Sequence, residues 1–483
     1  MAAGDLYEDV ENGLETPLIK LAADEPTAAD QSNGSIGMVL LTTFVAVCGS
    51  FEFGSCVGYS SPTQSAIRDD LDLSLSQFSM FGSIITIGAM IGAITSGRVA
   101  DFIGRKGAMR LSALFCITGW LAVYFSKEAW TLDSGRFFTG YGIGIFSYVV
   151  PVFIAEIAPK NLRGGLATLN QLMIVCGSSV AFIIGATVSW RTLALTGLLP
   201  CFFILTGLFF IPESPRWLAK VGRWKEFETA LHTLRGKDTD VSREAAEIQA
   251  SIDDLHNLPK VRMLDLLDAK YARPVIIGVG LMVFQQFSGI NGIGFYSTQL
   301  FVEAGLSSGK IGTIAYAIIQ VPVTMVGALL MDRSGRRPLL MVSAAGMTLG
   351  CLMTGTSFLL KQDLSWSPEL VLILAVSGVL VYITAFSIGM GAVPWVIMSE
   401  IFPLHVKGVG GSIVVLVNWL GAWLVSYTFN YLMSWSSTGI FAIYGGFGVM
   451  TIVFVAKIVP ETKGRTLEEI QASINSSPKF DLN

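Results

Sequence analysis

Twelve apolar blocks, each of about 20 residues, dominate this chain. A helix of about 20 apolar residues crosses the hydrocarbon core of a bilayer while pairing its own backbone polar groups. The blocks therefore predict an all-α membrane protein with twelve transmembrane helices. They lie at 37–58, 77–97, 109–126, 136–156, 166–187, 191–211, 274–297, 311–331, 338–360, 369–391, 409–433 and 438–458.

The distribution of basic residues predicts the orientation of these helices. Of the 32 Lys and Arg, 24 lie in the connections after even-numbered blocks or in the C-terminal tail, and five follow odd-numbered blocks. Basic connections stay on the cytoplasmic side, so both termini are expected there in a multi-pass protein surrounded by lipid. The first 35 residues hold eight acidic residues and one Lys, without a basic segment leading into an apolar one. This composition is typical of a disordered cytoplasmic tail and not of a secretory signal peptide.

Three short patterns occur in the same order in both halves of the chain. They are DFIGRK at 101–106 and DRSGRR at 332–337, EIAP at 156–159 and EIFP at 400–403, and PES at 212–214 and PET at 460–462. The offsets are 231, 244 and 248 residues, about half the chain. Such a repeat indicates one duplicated polytopic unit, and hence two pseudo-symmetric six-helix bundles.

The repeat divides the chain into five expected regions. These are a tail at 1–35, a first bundle at 36–211, a cytoplasmic linker at 212–273, a second bundle at 274–459 and a tail at 460–483. In the linker, the stretches from Arg223 to Leu234 and from Ser242 to Leu258 have the pattern of short cytoplasmic helices. A plain linker is the alternative.

The motifs together resemble the sugar porter family of the major facilitator superfamily, and within it the plant early-responsive-to-dehydration-like monosaccharide transporters. The resemblance covers about 36–465. It implies the major facilitator fold, with two halves that rock around a central site for glucose or a similar hexose. The motifs that carry it are GRK at 104–106, GR at 135–136, EIAP at 156–159, PESPR at 212–216, QQ at 285–286 with Asn291, and PETKG at 460–464.

Three amides in the seventh block are candidates for a sugar site. A hexose needs neutral hydrogen-bonding groups near mid-membrane, because a charged group there costs about 2.5–3.5 kcal/mol on insertion scales. Gln285, Gln286 and Asn291 supply such groups, and glycines 289, 292 and 294 interrupt the helix that carries them. The alternative for each amide is an interhelical hydrogen bond that holds the bundle together.

The resemblance implies further sugar contacts. Where the family has a pair of tyrosines after the asparagine, this chain has Phe295 and Tyr296. The remaining contacts implied are Gln171, Trp395 and Asn418, and Trp419 beside Asn418 is a further candidate. The alternative for Trp395 is anchoring at the membrane interface.

Charged residues follow several blocks at equivalent places in both halves. Each acidic residue has basic residues at the same depth, which predicts a charge network that closes the cytoplasmic side and breaks when that side opens. Simple anchoring of basic side chains at lipid headgroups is the alternative. The expected gate residues are Asp101, Arg105, Lys106, Glu156, Arg163, Glu213, Asp332, Arg336, Arg337, Glu400, Lys407 and Glu461.

Proton coupling is left open by the sequence. Glu52 and Arg136 are opposite charges inside apolar blocks, and such a pair suggests a proton carrier. In proton-coupled relatives an Asp pairs with the Arg that corresponds to Arg136, and alignment places Gly54 at that Asp. Glu52 lies two residues earlier, about 200° around a straight helix. Facilitated diffusion is therefore the first expectation, with proton-linked transport through Glu52 as the alternative.

Other functions find less support. The three His residues have no metal-ligand spacing, and no nucleophile or phosphate-binding motif occurs, so no enzyme activity, metal, cofactor or nucleic acid is expected. The six Cys lie in apolar segments and are expected to pack as small hydrophobes. An inositol or a pentose remains an alternative substrate. A non-transporting sugar sensor would need a longer regulatory tail.

A short pattern in the N-terminal tail bears on the compartment. Leu14, Leu18 and Ile19 resemble a dileucine-type sorting signal, which a sorting adaptor would bind and which suggests the vacuolar membrane in plant relatives. The plasma membrane is the alternative.

Overall fold

The computed structural model describes residues 36–159, 162–236, 239–257, 265–266, 268–362, 366–403, 406–465 and 469–470. The side chains of 254–257, 269–270 and 332 lie outside this description, as does the sorting pattern in the N-terminal tail. The helices are α1 (Ile36–Gly58), α2 (Ser60–Leu71), α3 (Leu75–Phe125), α4 (Ala129–Ile157), α5 (Arg163–Gly185), α6 (Trp190–Thr196), α7 (Leu198–Gly207), α8 (Pro215–Lys220), α9 (Trp224–Arg235), α10 (Ser242–Asn257), α11 (Ala269–Phe287), α12 (Ile290–Phe295), α13 (Ser297–Ala304), α14 (Gly309–Ser334), α15 (Arg336–Leu360), α16 (Pro368–Ile388), α17 (Val393–Ile401), α18 (Lys407–Trp435) and α19 (Ser437–Lys457).

All twelve predicted spans coincide with helices. Among the described residues, eleven helical segments are long and apolar enough to cross a membrane. The longest of these, α3, has 51 residues and contains two predicted spans. They are separated at Gly104, whose φ of 82° lies in the left-handed region that L side chains rarely adopt. The twelve-helix expectation is therefore confirmed.

Short helices lie at both ends of the bundle. Two of them, α9 and α10, occupy the linker within two residues of the predicted bounds, so the plain-linker alternative is wrong. We call their end of the bundle, where the charged repeats also lie, the linker side. The other end, which carries α2 and α13, is the opposite side. The sequence did not predict α2, a short polar helix that continues from the first span.

Glycines allow the helices of the first half, residues 36–211, to pack closely. A Cβ atom at Gly88 would come within 2.3 Å of the Phe137 carbonyl oxygen, and one at Gly144 within 2.3 Å of that of Ala89. Helices α3 and α4 therefore touch backbone to backbone, as small residues permit inside a membrane. This contact makes the first half a rigid support for the side chains on its inner face.

Candidate functional site

Four predicted amides form one hydrogen-bonded cluster between α11, α12 and α18. Gln286 Nε2 donates to Asn418 Oδ1 at 2.7 Å, and Asn291 Nδ2 donates to Gln286 Oε1. Gln286 Nε2 also lies 3.3 Å from Gln285 Oε1. Gln285, Gln286 and Asn418 are buried, while Asn291 is half-buried. We call these four residues the amide cluster.

The amide cluster lies where two membrane helices are broken. Helix α11 ends before Gly289, whose φ is 97°, and a Cβ atom there would approach the Tyr444 ring to 2.3 Å. The second break separates α16 from α17 at Gly389. Gln285 Nε2 donates to the Met390 carbonyl in that break, so an amide satisfies backbone that no longer pairs within a helix. Non-helical backbone at membrane depth is typical of transporter binding sites.

Aromatic side chains approach the same region from both halves. Trp419 lies 6.1 Å from the Phe53 ring on α1, centroid to centroid, at an interplanar angle of 47°. Trp395, two residues into α17, packs half-buried against the core beside the second break. Gln171 is half-buried on α5. The predicted polar and aromatic groups therefore come from both halves, here residues 36–211 and 274–459.

Phe295 and Tyr296 lie at the end of α12, the helix that also carries Asn291. Both are buried, and Tyr296 stacks on Phe429 with ring centroids 5.3 Å apart and planes 3° apart. Its hydroxyl meets Gly82 on α3, where an added Cβ atom would lie 2.6 Å away. Tyr296 therefore packs where the two halves meet on the opposite side, and the role of both residues as sugar contacts stays a prediction.

Neutral hydrogen bonds join the two halves on the opposite side. Ser61 Oγ lies 2.7 Å from Ser297 Oγ and 2.9 Å from Thr298 Oγ1, and it accepts from the Thr298 backbone N–H at 3.0 Å. Gln64 Nε2 donates to Gln299 Oε1. Asn430 on α18 donates to Ser79 on α3 at 2.9 Å. This side is closed by hydroxyls and amides.

The first charge cluster lies wholly beside the first half. Arg105 donates to both Glu156 oxygens, at 2.8 and 2.9 Å, and to Asp101 at 3.1 Å. Lys220 of α8 pairs with the other Asp101 oxygen at 2.9 Å. Glu213 accepts from the backbone N–H groups of residues 105 and 106 at the start of the new helical turn. These contacts fix the linker-side end of one bundle.

The second charge cluster repeats this geometry in the second half. Arg336 donates to Glu400 at 3.1 Å. Glu461 accepts from the backbone N–H groups of Arg336 and Arg337, each at 3.0 Å, at the beginning of α15. Each cluster therefore pairs residues of its own half, because each Glu faces the Arg of the neighbouring helix in the same bundle. Closure of the cytoplasmic side by these charges stays a prediction.

Matched glycines precede the two helical turns that bind these carboxylates. Gly104 has φ of 82° and Gly335 of 91°, and a Cβ atom would lie 2.6 Å from Glu213 Oε2 and 2.7 Å from Glu461 Oε2, respectively. Burial raises the pKa of Glu213. Burial acts in the same direction on Glu461, but hydrogen bonds from four backbone N–H groups outweigh it and lower the pKa of that carboxyl. The repeated motif therefore holds its two Glu residues in different electrostatic environments.

The other predicted gate residues take separate positions. Lys106 donates to the Ile211 carbonyl, and Arg337 to the carbonyls of 455 and 456. Arg163 is exposed at the start of α5, and Lys407 begins α18. The side chain of Asp332 lies outside the described residues.

Glu52 and Arg136 are buried but bind different partners. Glu52 Oε1 accepts from Trp120 Nε1 at 2.6 Å and from the Cys56 thiol at 3.2 Å. Arg136 donates to the Cys56 carbonyl at 2.8 Å and to Ser60 Oγ at 2.6 Å. Its guanidinium also lies 5.2 Å from the centre of a phenylalanine ring, at position 81. Glu52 points from α1 toward α3 and does not pair with Arg136 in these contacts.

Sequence reasoning missed two polar contacts near mid-membrane. Gln320 on α14 donates to Ser179 on α5 at 2.7 Å, across the two halves, and is buried. Ser50 on α1 donates to Asn170 on α5 at 2.7 Å. A lone amide inside an apolar block was the available signal for both Gln320 and Asn170.

Comparisons with known proteins agree with this architecture. A family model described as "Sugar (and other) transporter" matches residues 33–473. Sugar transporter ERD6-like 16 of Arabidopsis thaliana is 67% identical over 474 residues, covering 98% of this chain and 97% of that protein.

Two solved structures share the fold. The inward open conformation of the xylose transporter XylE from E. coli has a TM-score of 0.76 and 28% identity, covering 90% of this chain and 99% of that one. The proton:xylose symporter XylE, a major facilitator superfamily protein bound to 6-bromo-6-deoxy-D-glucose, has a TM-score of 0.74 at 28% identity, with the same coverage. The twelve helices therefore have the major facilitator arrangement.

Proposed function

This chain belongs to the sugar transporter family, and from that premise we propose that it carries monosaccharides across its membrane by alternating access and facilitated diffusion. It is a multi-pass membrane transporter and not an enzyme. The observation that carries the proposal is the amide cluster of the second half, which lies at two helix breaks and faces aromatic and amide side chains of the first half. Its expected substrate is a neutral hexose, with glucose first.

The amide cluster suits a neutral polyol chemically. Each side-chain amide both donates and accepts, so the amides can exchange their mutual hydrogen bonds for bonds to sugar hydroxyls. The indole rings of Trp395 and Trp419 offer apolar faces for the sugar ring. Gln171 and Gln320 would add amides from α5 and α14.

The arrangement of contacts supports a state that is open toward the linker side. The hydrogen bonds described between the halves lie at mid-membrane or on the opposite side. An inward open conformation of XylE is among the similar structures. We assign the linker side to the cytoplasm, because 24 of the 32 Lys and Arg belong to connections or to the tail on that side.

Facilitated diffusion is favoured by the surroundings of Glu52. Its contacts are Trp120 and Cys56, which belong to the same half and move with it. A coupling group has to change its surroundings between the two states, because an element drives a transition only through differential contacts. Arg136 likewise binds a carbonyl and a hydroxyl of its own half. These contacts within one half support facilitated diffusion as the proposed mode.

Transport in proteoliposomes tests both parts of the proposal. The double variant Q285L/Q286L is expected to lose glucose counterflow, whereas Q362L, which replaces an exposed amide, keeps it. Counterflow that persists in correctly inserted Q285L/Q286L protein contradicts the sugar site. Glucose, fructose, xylose and inositol offered in competition identify the substrate.

A proton gradient imposed at equal internal and external glucose tests the coupling. Facilitated diffusion predicts no accumulation. Accumulation that E52Q abolishes refutes it and establishes proton-linked transport.

The N-terminal pattern with Leu18 and Ile19 favours delivery to the vacuolar membrane through a sorting adaptor. A fluorescent fusion of the L18A/I19A variant is then expected at the plasma membrane. An unchanged vacuolar location of that variant refutes the assignment.

A further inference from the structure

Three potential metal ligands converge inside the first half, away from the amide cluster. Glu52 and Cys56 share one face of α1, and Cys116 approaches them from α3. One ligand atom from each of these three residues lies within 4.8 Å of the other two. The Cys201 thiol of α7 borders Glu52 and Cys116 but lies outside this group of three ligand atoms. We call Glu52, Cys56 and Cys116 the thiol–carboxylate cluster.

The carboxylate of this cluster is incompletely satisfied. Glu52 is 0% exposed, and its Oε2 atom has no hydrogen-bond partner among the described residues. A buried carboxylate oxygen without a donor is costly and rare in proteins. Cys56, Cys116 and Cys201 are also 0% exposed. An unsatisfied oxygen beside three enclosed thiols is the arrangement expected of a site that accepts a cation.

The charges around the cluster suit a divalent ion. Two thiolates and one carboxylate carry a charge of −3, so a bound divalent cation leaves a net charge of −1. Arg136 donates to the Cys56 carbonyl at 2.8 Å and so brings a compensating positive charge to the cluster. Thiolate ligands select thiophilic metals such as zinc over magnesium or calcium. Sulfur and oxygen ligands of this kind are those of tetrahedral zinc sites.

We propose that Glu52, Cys56 and Cys116 form a buried binding site for a thiophilic divalent cation such as Zn²⁺ or Cd²⁺. Binding displaces the protons of the two coordinating thiols into solvent and links α1 to α3. The neighbouring residue on α1, Phe53, faces Trp419 in the other half. The ion would therefore stiffen the helix that borders the sugar site without touching the sugar.

The metal content of purified protein tests this site. The full chain is produced in zinc- or cadmium-supplemented cells, washed with a weak chelator and measured by mass spectrometry of the metal. Wild type is expected to hold about one ion per chain, and the cadmium form to show thiolate-to-metal charge-transfer absorbance. C116S and E52Q are expected to bind the ion at least ~10-fold more weakly. C48S, which changes another buried thiol of α1, keeps wild-type binding.

Three results overturn the proposal. The first is wild-type protein that holds neither metal, a result that needs no folded variant. The second is a C116S variant that retains as much metal as wild type. The third is a C48S variant that loses as much metal as C116S. Either result would place the ion outside the thiol–carboxylate cluster. Glucose counterflow is measured separately, so loss of the sugar site leaves this test intact.

Discussion

Removing one hydroxyl on the opposite side is expected to shift the transporter toward its outward-open state. Ser61 makes three of the contacts that join the halves, to Ser297 Oγ, Thr298 Oγ1 and the Thr298 backbone N–H. That N–H lies in the first turn of α13, where no helical carbonyl is available to it. The S61A variant therefore leaves a poorly satisfied donor in the closed state, whereas water satisfies it when this side opens.

The size of the shift follows from these contacts. Three interhelical hydrogen bonds at about 0.6 kcal/mol each give roughly 2 kcal/mol. An unsatisfied buried donor costs about 1–3 kcal/mol, which spans the same value. Since about 1.4 kcal/mol is a factor of ten, the ratio of outward-open to closed molecules is expected to rise by roughly 5–150-fold.

Electron spin resonance distances between the halves measure this ratio. Labels at K127C and Q362C, both exposed on the opposite side, separate when that side opens. Cys176, the one native thiol among the six that is not buried, is replaced first. S357A is the matched control, because that hydroxyl donates to a carbonyl of its own helix at 2.7 Å. An S61A distance distribution equal to that of S357A refutes the reasoning.

The two repeated carboxylates and their glycines give further predictions, measured by thermal unfolding in detergent. Because the pKa of Glu461 is lowered from 4.5 in the folded state, its stabilisation is present above pH 4.5 and is lost as the pH falls below that value. E461Q is therefore expected to be less stable than wild type at pH 7.5, and the difference is expected to shrink only below pH 4.5. The pKa of Glu213 is raised, so proton uptake stabilises wild type relative to E213Q as the pH falls, giving the opposite slope. Parallel slopes contradict the assigned environments. G335A forces a side chain onto backbone with φ of 91°, so it is expected to lower the free energy of unfolding by about 1–3 kcal/mol. G411A, in α18 where no atom lies near the added Cβ, is expected to leave the stability unchanged or to raise it. Equal effects of the two variants would contradict backbone strain at Gly335.

The structural features that the sequence predicted are those that depend on residues close together along the chain, such as helical spans and helix breaks. The twelve spans follow from block hydropathy, and the break after α11 follows from Gly289. The helix α2 was missed because its mean hydropathy is low and it spans no membrane. A short polar helix at an interface gives no apolar block to detect.

Contacts between distant segments account for what the sequence did not predict. The depth of the charged residues predicted a network at one side of the membrane, but depth does not specify lateral position, so the pairing of each Arg with a Glu of its own bundle was not predicted. Glu52 and Arg136 were separated correctly by helical angle, but the thiols that surround Glu52 lie 60 and 145 residues from Cys56 along the chain, at 116 and 201. Spacing rules for metal ligands apply within one segment, so they overlook such a cluster.

The contrast between the two ends of the bundle explains how such a protein can switch. Bidentate Arg–Glu contacts such as Arg105–Glu156 stay within one half, so they stiffen each bundle and need not break during rocking. The contacts that must break on the opposite side are neutral, like that of Ser61 with Ser297, and water replaces them at little cost. Two states then differ by only a few kcal/mol, as alternating access requires. Charged groups thus maintain the shape of each half, while neutral groups set the balance between the states.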